Sequence, residues 1–135
     1  MVLNGLHVVF LAKALLPKLM ARPTRSAIVI TSSVASWLPL VGGATYSATK
    51  AMERLFAESL HYETRHKLDV LAYTPGYVNT KLLDNPSGAR TTSPLMVEPE
   101  DGVRAMHKDL VRGRATSCGS IKHSFTYFLV SSWAI

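Results

Sequence analysis

The sequence predicts an α/β fold built on a parallel sheet. Two short apolar runs, "SAIVITS" and "KLDVLAY", show no sustained alternation with polar residues, which is typical of strands that are covered on both faces. A long amphipathic segment lies between them, and another long apolar segment precedes the first. The order helix, strand, helix, strand indicates parallel strands with right-handed connections.

The first helix is predicted over residues 3–21, because leucine, valine and phenylalanine recur there at three- and four-residue spacing. These apolar positions surround much of the helix, so we expect it to be buried on most sides. Arg22-Pro23 ends it, since the residue before a proline avoids helical backbone. The strand that follows closes in Ser32 and Ser33.

The second helix is predicted from Thr45 to about His66, and the strand after it is stopped by Pro75-Gly76. We expect its apolar residues to face the sheet and its charged residues to face solvent. The expected buried side carries Ala48, Met52, Leu55, Phe56, Ser59 and Leu60, and the expected solvent side carries Glu53, Glu58 and Arg65.

The rest of the chain divides into three parts after a core formed by residues 1–76. Residues 77–97 have no sustained period and read as a long loop, a kind of segment that is usually functional or disordered. Residues 98–114 begin with acidic and end with basic side chains, which matches the helix dipole. Residues 115–135 form an apolar C-terminal segment.

Composition excludes several classes of protein. With 47% hydrophobic and 18% charged residues in 135, the chain can bury a core, although a chain of this length leaves little room for a large cofactor site. The net charge is +6, but no run of five or six like charges occurs, so no nucleic-acid partner is expected. A single cysteine, Cys118, rules out an internal disulfide. No apolar stretch reaches the length of a bilayer span, and no metal site is expected.

The most informative motif is "YSATK" in the second helix, which places Tyr46 and Lys50 four residues apart. Side chains at this spacing lie on one helix face, one turn apart. A nearby ammonium favours the phenolate over the phenol, which would suit Tyr46 to exchange protons as a general acid or base. Taken alone the pair is weak support, because most such pairs are surface neighbours.

The surrounding segments strengthen that interpretation. Ser32 and Ser33 follow the first strand, and Pro75-Gly76 follows the second. Ligands of open α/β sheets bind outside the carboxyl ends of the strands. Both strand ends and the start of the second helix should therefore meet at one crevice.

The segments "TSSVASWLPLVGGATYSATKA" and "TPGYVNTKL" resemble the catalytic half of the short-chain dehydrogenase/reductase family. This resemblance implies a Rossmann-like doubly wound parallel sheet, of which the chain would supply only the C-terminal half. The family carries a serine thirteen residues before the tyrosine, which falls on Ser33, and an asparagine ahead of the serine strand, which falls on Asn4. Tyr46 and Lys50 complete the family's catalytic set of four.

The resemblance also implies a role for each residue. Tyr46 would exchange a proton with the substrate oxygen, and Ser33 would hydrogen-bond the same oxygen. Lys50 would favour the phenolate and hold the nicotinamide ribose, while Asn4 would hold a water that relays protons to Lys50. The cofactor, NADP or NAD, would also contact four positions of the family's "PG-x-V-x-T" pattern: Pro75, Gly76, Val78 and Thr80. The alternative for each is an ordinary structural role, such as a cap or a loop hydroxyl.

Details such as "LLPKLM", "SLHYE" and "SCGSIKH" are similar to the very-long-chain 3-oxoacyl-CoA reductase and 17β-hydroxysteroid dehydrogenase branch, while "ASWLP" is similar to bacterial hydroxysteroid dehydrogenases. We therefore expect a lipophilic substrate and leave its identity open. Residues 77–97 would form a substrate lid. The candidate lining residues, which are equally suited to anchor a loop, are Leu82, Leu83, Leu95 and Met96.

The chain holds no glycine-rich dinucleotide motif and no Asn-Asn-Ala-Gly. Two hypotheses follow: the cofactor half lies elsewhere, on the same gene or another polypeptide, or the chain is an inactive paralogue serving as a structural subunit of a larger complex. In either case another polypeptide, or an oligomer, is expected at the open sheet edge, and these 135 residues alone should be inactive. A third hypothesis is an intracellular protein attached to an organelle membrane, such as the endoplasmic reticulum, through residues 121–135.

Overall fold

The computed structural model describes residues 5–81, 92–125 and 128. Within them the predicted order of helix, strand, helix and strand is confirmed, followed by a third helix and a third strand. The elements are α1 (His7–Met20), β1 (Ser26–Thr31), a 3-10 helix (Val34–Trp37), α2 (Ala44–Thr64), β2 (Leu68–Tyr73), α3 (Pro99–Val111) and β3 (Thr116–Ser117).

The sheet is parallel, as predicted, with the strand order β1-β2-β3. Its register runs from Ser26 beside Leu68 to Thr31 beside Tyr73. The third strand pairs only two residues with β2 and was not predicted. Two residues are too few to show a strand pattern in sequence, so only their pairing with β2 reveals them.

The core lies between the sheet and the helices α1 and α2. Leu68, Val70 and Ala72 of β2 are fully buried on this face, against Ala57 of α2 and Ala12 of α1. The small side chain of Ala57 lets the helix approach the sheet closely. Because side chains alternate along a strand, Leu71 and Tyr73 point to the other face, where α3 packs.

The expectation that α1 is buried on most sides is wrong. Ala12 is its one buried residue, whereas Phe10, Leu11 and Leu15 are 65%, 56% and 46% exposed. The helix packs on the sheet by one face, and the described residues place nothing over the opposite face. The apolar residues on the opposite face therefore form an exposed surface, which another segment can cover.

The expectation that β1 is covered on both faces is also wrong. Ile30 is buried in the core, but Val29, which points to the opposite face, is 38% exposed. The strand lies at one edge of the sheet, and α3 covers β2 and β3 instead. The second face of β1 is therefore open within the described part of the chain.

The predicted C-terminal segment is described as far as Phe125, and again at Phe128. It begins with β3 and continues into a helical turn over residues 121–125, where the Ser124 N–H donates to the Ser120 carbonyl oxygen at 3.0 Å. Among residues 5–81, 92–125 and 128, no helix combines the length and apolar character needed to cross a bilayer.

A surface ion pair ties the start of β1 to the start of β2. The Arg25 guanidinium donates to both Asp69 carboxylate oxygens at 2.7 Å, and it also donates to the Arg65 carbonyl oxygen at 2.7 Å. The hydrogen bond from Arg25 holds the pKa of Asp69 below its usual value, although partial burial opposes this.

That lowered pKa predicts how the stability of the protein depends on pH. The pair stabilises the folded state above the unfolded-state pKa of about 3.9, and this contribution is lost as pH falls through the lower folded-state pKa. We expect Asp69→Asn to reduce the melting temperature modestly at neutral pH and to have no effect once the carboxyl is protonated. Thermal melts of both proteins across the acid range measure this, and an equal difference at every pH would contradict it.

Candidate active site

Ser32, which follows β1, forms hydrogen bonds to the end of β2 and to the N-terminal part of α2. Its backbone N–H donates to the Tyr73 carbonyl oxygen at 2.7 Å, and its Oγ donates to the Lys50 carbonyl oxygen at 2.7 Å. Ser32 is buried, so both bonds are shielded from water. The structure therefore brings together the elements that the sequence placed around one crevice.

Ser33 begins the 3-10 helix, with its Oγ accepting a hydrogen bond from the Ala35 N–H at 3.2 Å. This bond uses an oxygen lone pair and leaves the hydroxyl proton able to donate to a ligand. The next residue, Val34, donates its N–H to the Pro75 carbonyl oxygen at 2.9 Å. Ser33 is thus a capping residue that also lies beside the Pro75-Gly76 turn.

Tyr46 and Lys50 share one face of α2, as their spacing predicts. The Lys50 Nζ lies 6.0 Å from the centroid of the Tyr46 ring. Tyr46 is 44% exposed in the first turn of the helix, so a ligand can reach its phenol. This arrangement has the accessible hydroxyl and the nearby positive charge that proton exchange at a carbonyl oxygen requires.

The Lys50 ammonium has two further contacts that the sequence did not reveal. Nζ forms a 2.7 Å ion pair with Glu53 Oε2 and donates to the Thr31 carbonyl oxygen at 3.2 Å. The Glu53 side chain is 1% exposed, although the sequence pattern had placed it on the solvent side of the helix. The i,i+3 spacing from Lys50 is the one signal that could have found this pair.

The assignment of faces on α2 is corrected accordingly. The side against the sheet carries Glu53, Ala57, Leu60, His61 and Thr64, all buried. Of the residues expected there, Leu60 is buried and Phe56 partly so. Four residues expected on the buried side are exposed instead: Ala48, Met52, Leu55 and Ser59. With this side against the sheet, the Lys50 Nζ contacts both Glu53 and the Thr31 carbonyl oxygen at the end of β1.

The segment after β2 is held by contacts to distant parts of the chain. Tyr77 accepts a hydrogen bond from the Val97 N–H at 3.0 Å, and Val78 and Val97 form an isolated parallel bridge. Asn79 donates its N–H to the Val97 carbonyl oxygen at 2.9 Å, and the Thr80 N–H donates to the Val78 carbonyl oxygen at 2.8 Å. The predicted "PG-x-V-x-T" segment is therefore fixed at the base of the long loop.

The predicted substrate residues are only partly located. Leu95 and Met96 are half-buried in a turn closed by the Met96 N–H and the Ser93 carbonyl oxygen at 3.0 Å. The other two leucines, Leu82 and Leu83, lie outside the described residues, as does the predicted catalytic residue Asn4.

A cavity of about 390 Å³ lies elsewhere, between the 3-10 helix with its following loop and the first turns of α2. Trp37, Leu40 and Ala48 are among its lining residues, and Leu95 and Met96 are not. The described residues therefore do not join the predicted lid residues to a closed substrate pocket.

The residues present suit one end of a dinucleotide. The Tyr46 ring is partly exposed with the Lys50 Nζ 6.0 Å from its centroid, and Val34, next to Ser33, donates to the Pro75 carbonyl oxygen at 2.9 Å. A phenol, an ammonium and a serine hydroxyl are groups that suit the polar atoms of a nicotinamide and its ribose. No glycine-rich turn in the sequence could receive the pyrophosphate. The fit therefore covers the reactive end of such a cofactor and not its adenosine end.

Comparison with known proteins identifies the family. Residues 1–90 match the family model for short chain dehydrogenases. An "Uncharacterized oxidoreductase" of Myxococcus xanthus is 36% identical over 103 residues, covering 76% of this chain and 39% of that protein. A "Dehydrogenase/reductase SDR family protein 7-like" of Drosophila melanogaster is 34% identical over 119 residues, covering 87% of this chain and 36% of that protein.

The solved short-chain dehydrogenase from Sphingobium yanoikuyae, in complex with NADPH, shares the fold. Its TM-score is 0.77 at 23% identity, covering 97% of this chain and 51% of that one. This likeness confirms the predicted Rossmann-like α/β fold, and the chain spans from 36% to 51% of the length of these three proteins. On the match over residues 1–90, the chain belongs to the short chain dehydrogenase family.

Proposed function

We propose that the chain carries the catalytic half of an NAD(P)-dependent oxidoreductase that interconverts a carbonyl and a secondary alcohol. The observation that supports this most is the accessible Tyr46 phenol with the Lys50 Nζ 6.0 Å from its ring. The half-buried Ser33 hydroxyl, at the end of the neighbouring strand, is the second polar group of the site.

In the reducing direction, a nicotinamide held beside Tyr46 and Lys50 would be the source of the hydride that the carbonyl carbon receives. Tyr46 gives its phenolic proton to the carbonyl oxygen, so that one hydride and one proton convert the ketone into the alcohol. Ser33 donates a hydrogen bond to the same oxygen and stabilises the negative charge that develops there. The Lys50 ammonium stabilises the phenolate that remains on Tyr46.

The cofactor assignment to NADP or NAD is supported by the segment that follows β2. The Pro75 carbonyl oxygen accepts from the Val34 N–H, and Tyr77 and Asn79 hydrogen-bond Val97 on either side of the Val78–Val97 bridge. These contacts hold the backbone of the segment that carries Pro75, Gly76, Val78 and Thr80. A relative with the same fold binds NADPH.

For the substrate we propose a lipophilic ketone, either a 3-oxoacyl-CoA or a steroid. The motifs that resemble the 3-oxoacyl-CoA reductase branch support it, together with four apolar residues in the long loop: Leu82, Leu83, Leu95 and Met96. We propose that residues 77–97 cover this substrate.

The open edge of β1 supports a proposal about the missing cofactor half. An apolar groove of about 350 Å³ lies between α1 and β1, and Leu11, Leu15 and Val29 line it. An unpaired strand edge beside exposed apolar side chains is a template for another strand. We propose that a parallel strand of a dinucleotide-binding half, either in a longer chain or in a separate polypeptide, pairs with β1.

The Tyr46→Phe variant tests the proposed reaction in a completed enzyme. In such an enzyme, a glycine-rich βαβ half from a family member is fused to the N-terminus, ahead of α1, or supplied separately. We expect the variant to reduce turnover of NADPH with a ketosteroid or 3-oxoacyl-CoA by roughly 100- to 10,000-fold, the usual contribution of a general acid. Cofactor affinity should change little, because the ring remains.

Tyr62→Phe is the matched control, since Tyr62 is a second exposed tyrosine of α2, at the opposite end of the helix from Tyr46. It should leave turnover unchanged. Full turnover by Tyr46→Phe would contradict the proposed reaction. A completed enzyme that folds and binds NADPH but turns over none of these ketones would favour the structural-subunit hypothesis.

A further inference from the structure

His123 is a buried histidine that the proposed reaction does not use. It is 1% exposed and lies in the helical turn at residues 121–125. Its Nδ1 is 3.1 Å from the Cys118 carbonyl oxygen, and its Nε2 is 3.1 Å from the Tyr77 carbonyl oxygen. The imidazole therefore bridges the C-terminal segment and the loop that follows β2.

Both of these partners are hydrogen-bond acceptors. A neutral imidazole carries one N–H donor and one bare nitrogen, so it can make one of the two bonds and turns a lone pair toward the other oxygen. The imidazolium carries two N–H donors and makes both. Protonation of His123 therefore adds a second hydrogen bond to the bridge, because the charged imidazolium donates an N–H to each carbonyl oxygen.

The loop contacted by His123 is the one assigned to the cofactor. Gly76 lies directly against the imidazole, and a Cβ at this position would be 2.8 Å from the His123 Cδ2. The Tyr77 carbonyl oxygen also accepts from the Val97 N–H at 3.0 Å. One carbonyl group thus joins the cofactor loop both to His123 and to the base of the long loop.

We propose that His123 is a positioning residue for the loop at residues 75–80, and that its protonation sets how firmly the loop is held. The imidazolium ties Tyr77 to Cys118 through two hydrogen bonds, and loss of a proton leaves one. A consequence for cofactor affinity rests on the proposed function, but the bridge itself does not.

Several other titratable groups belong to the elements near this bridge, and their effects must be separated from that of His123. They lie on β2, the loop, α3 and the C-terminal segment: Tyr73, Tyr77, Asp109, Cys118 and Lys122. Burial, and to a smaller extent the Cys118 thiol, raise the pKa of Tyr73, which keeps its phenol neutral near pH 7. Asp109 accepts from the Ser117 Oγ at 2.7 Å and pairs with Arg114 at 3.1 Å.

Amide hydrogen exchange of the whole chain tests the proposal. The Val97 and Asn79 amides report on the loop, and the Ala72 and Thr74 amides, which donate to the Ala115 and Ser117 carbonyl oxygens, are the controls. Protection factors correct for the intrinsic effect of pH. Between a pH at which ¹⁵N spectra show His123 with two N–H groups and a higher pH at which they show one, loop protection should fall roughly two- to tenfold, as for one hydrogen bond.

The His123→Gln variant should show weaker loop protection that no longer depends on pH, while the control amides remain protected. Loop protection that is the same at both pH values in the wild type, or a pH dependence that survives in His123→Gln, would overturn the proposal.

If the variant fails to fold, the ring nitrogens of His123 in the wild type provide a second test. Their ¹⁵N spectra should show two N–H groups at the lower pH and one at the higher pH. One N–H throughout would also overturn the proposal. None of these measurements needs cofactor or turnover, so failure of the proposed function is a separate result.

Discussion

Replacing Lys50 by methionine should lower the free energy of unfolding by about 3–5 kcal/mol, the usual effect of removing one partner of a buried ion pair. The Glu53 side chain is 1% exposed and lies 2.7 Å from the Lys50 Nζ. Methionine has a similar length but no charge, so it leaves the carboxylate buried without its ammonium. Urea unfolding followed by circular dichroism measures the loss.

Two variants separate this effect from a general intolerance of substitution. Lys18 is an exposed lysine of α1, and Lys18→Met should change the stability little. The double variant Lys50→Met with Glu53→Leu should recover most of the loss, because an apolar pair can replace a buried ion pair at small cost. A single variant that loses under about 1 kcal/mol would mean that solvent or another group stabilises Glu53 without Lys50.

This ion pair also affects how catalytic variants are interpreted. Lys50 lies beside Tyr46 and at the same time neutralises Glu53, so loss of activity in a Lys50 variant combines a catalytic and a structural effect. Tyr46 is exposed, and no buried charge depends on it in the described contacts. Tyr46→Phe is therefore the cleaner probe of the reaction.

Gly119→Ala should destabilise the protein by about 2–5 kcal/mol, through two separate effects. The backbone of Gly119 has φ = +73°, a left-handed conformation that costs an L-residue about 1–2 kcal/mol. A Cβ there would also lie 2.8 Å from the Tyr73 hydroxyl oxygen and overlap its ring. Overpacking of this kind adds about 1–3 kcal/mol. Thermal or urea unfolding measures the sum.

Gly113→Ala is the matched control. Gly113 has φ = +68°, but a Cβ there would have no neighbour within 4 Å. It should therefore show only the backbone effect, and the difference between the two variants measures the packing against Tyr73. Equal losses in both variants would contradict the close contact between Gly119 and Tyr73.

The sequence predicted β1, β2 and α2 because each has a local pattern of its own. The apolar runs identify the strands, and helical periodicity places Tyr46 and Lys50 on one face, which the 6.0 Å distance agrees with. Helical periodicity alone could not predict whether a charged residue with an available partner is buried or exposed. Glu53 is buried because Lys50 lies three residues before it.

The remaining differences arise from contacts between distant parts of the chain. The apolar residues of α1 and β1 show that these elements can be covered, but not that the described residues supply the cover. The bridge from His123 to Tyr77 spans 46 positions and has no local pattern that would reveal it. Tertiary packing alone brings these groups together.

We propose that the chain supplies the catalytic half of a dehydrogenase that works only when a dinucleotide-binding half pairs with β1. The most direct test of this proposal compares NADPH oxidation, with a 3-oxoacyl-CoA or a ketosteroid, by the 135-residue chain alone and by the completed enzyme. We expect no turnover from the chain alone and turnover from the completed enzyme. Turnover by the chain alone that disappears in Tyr46→Phe would contradict the proposal.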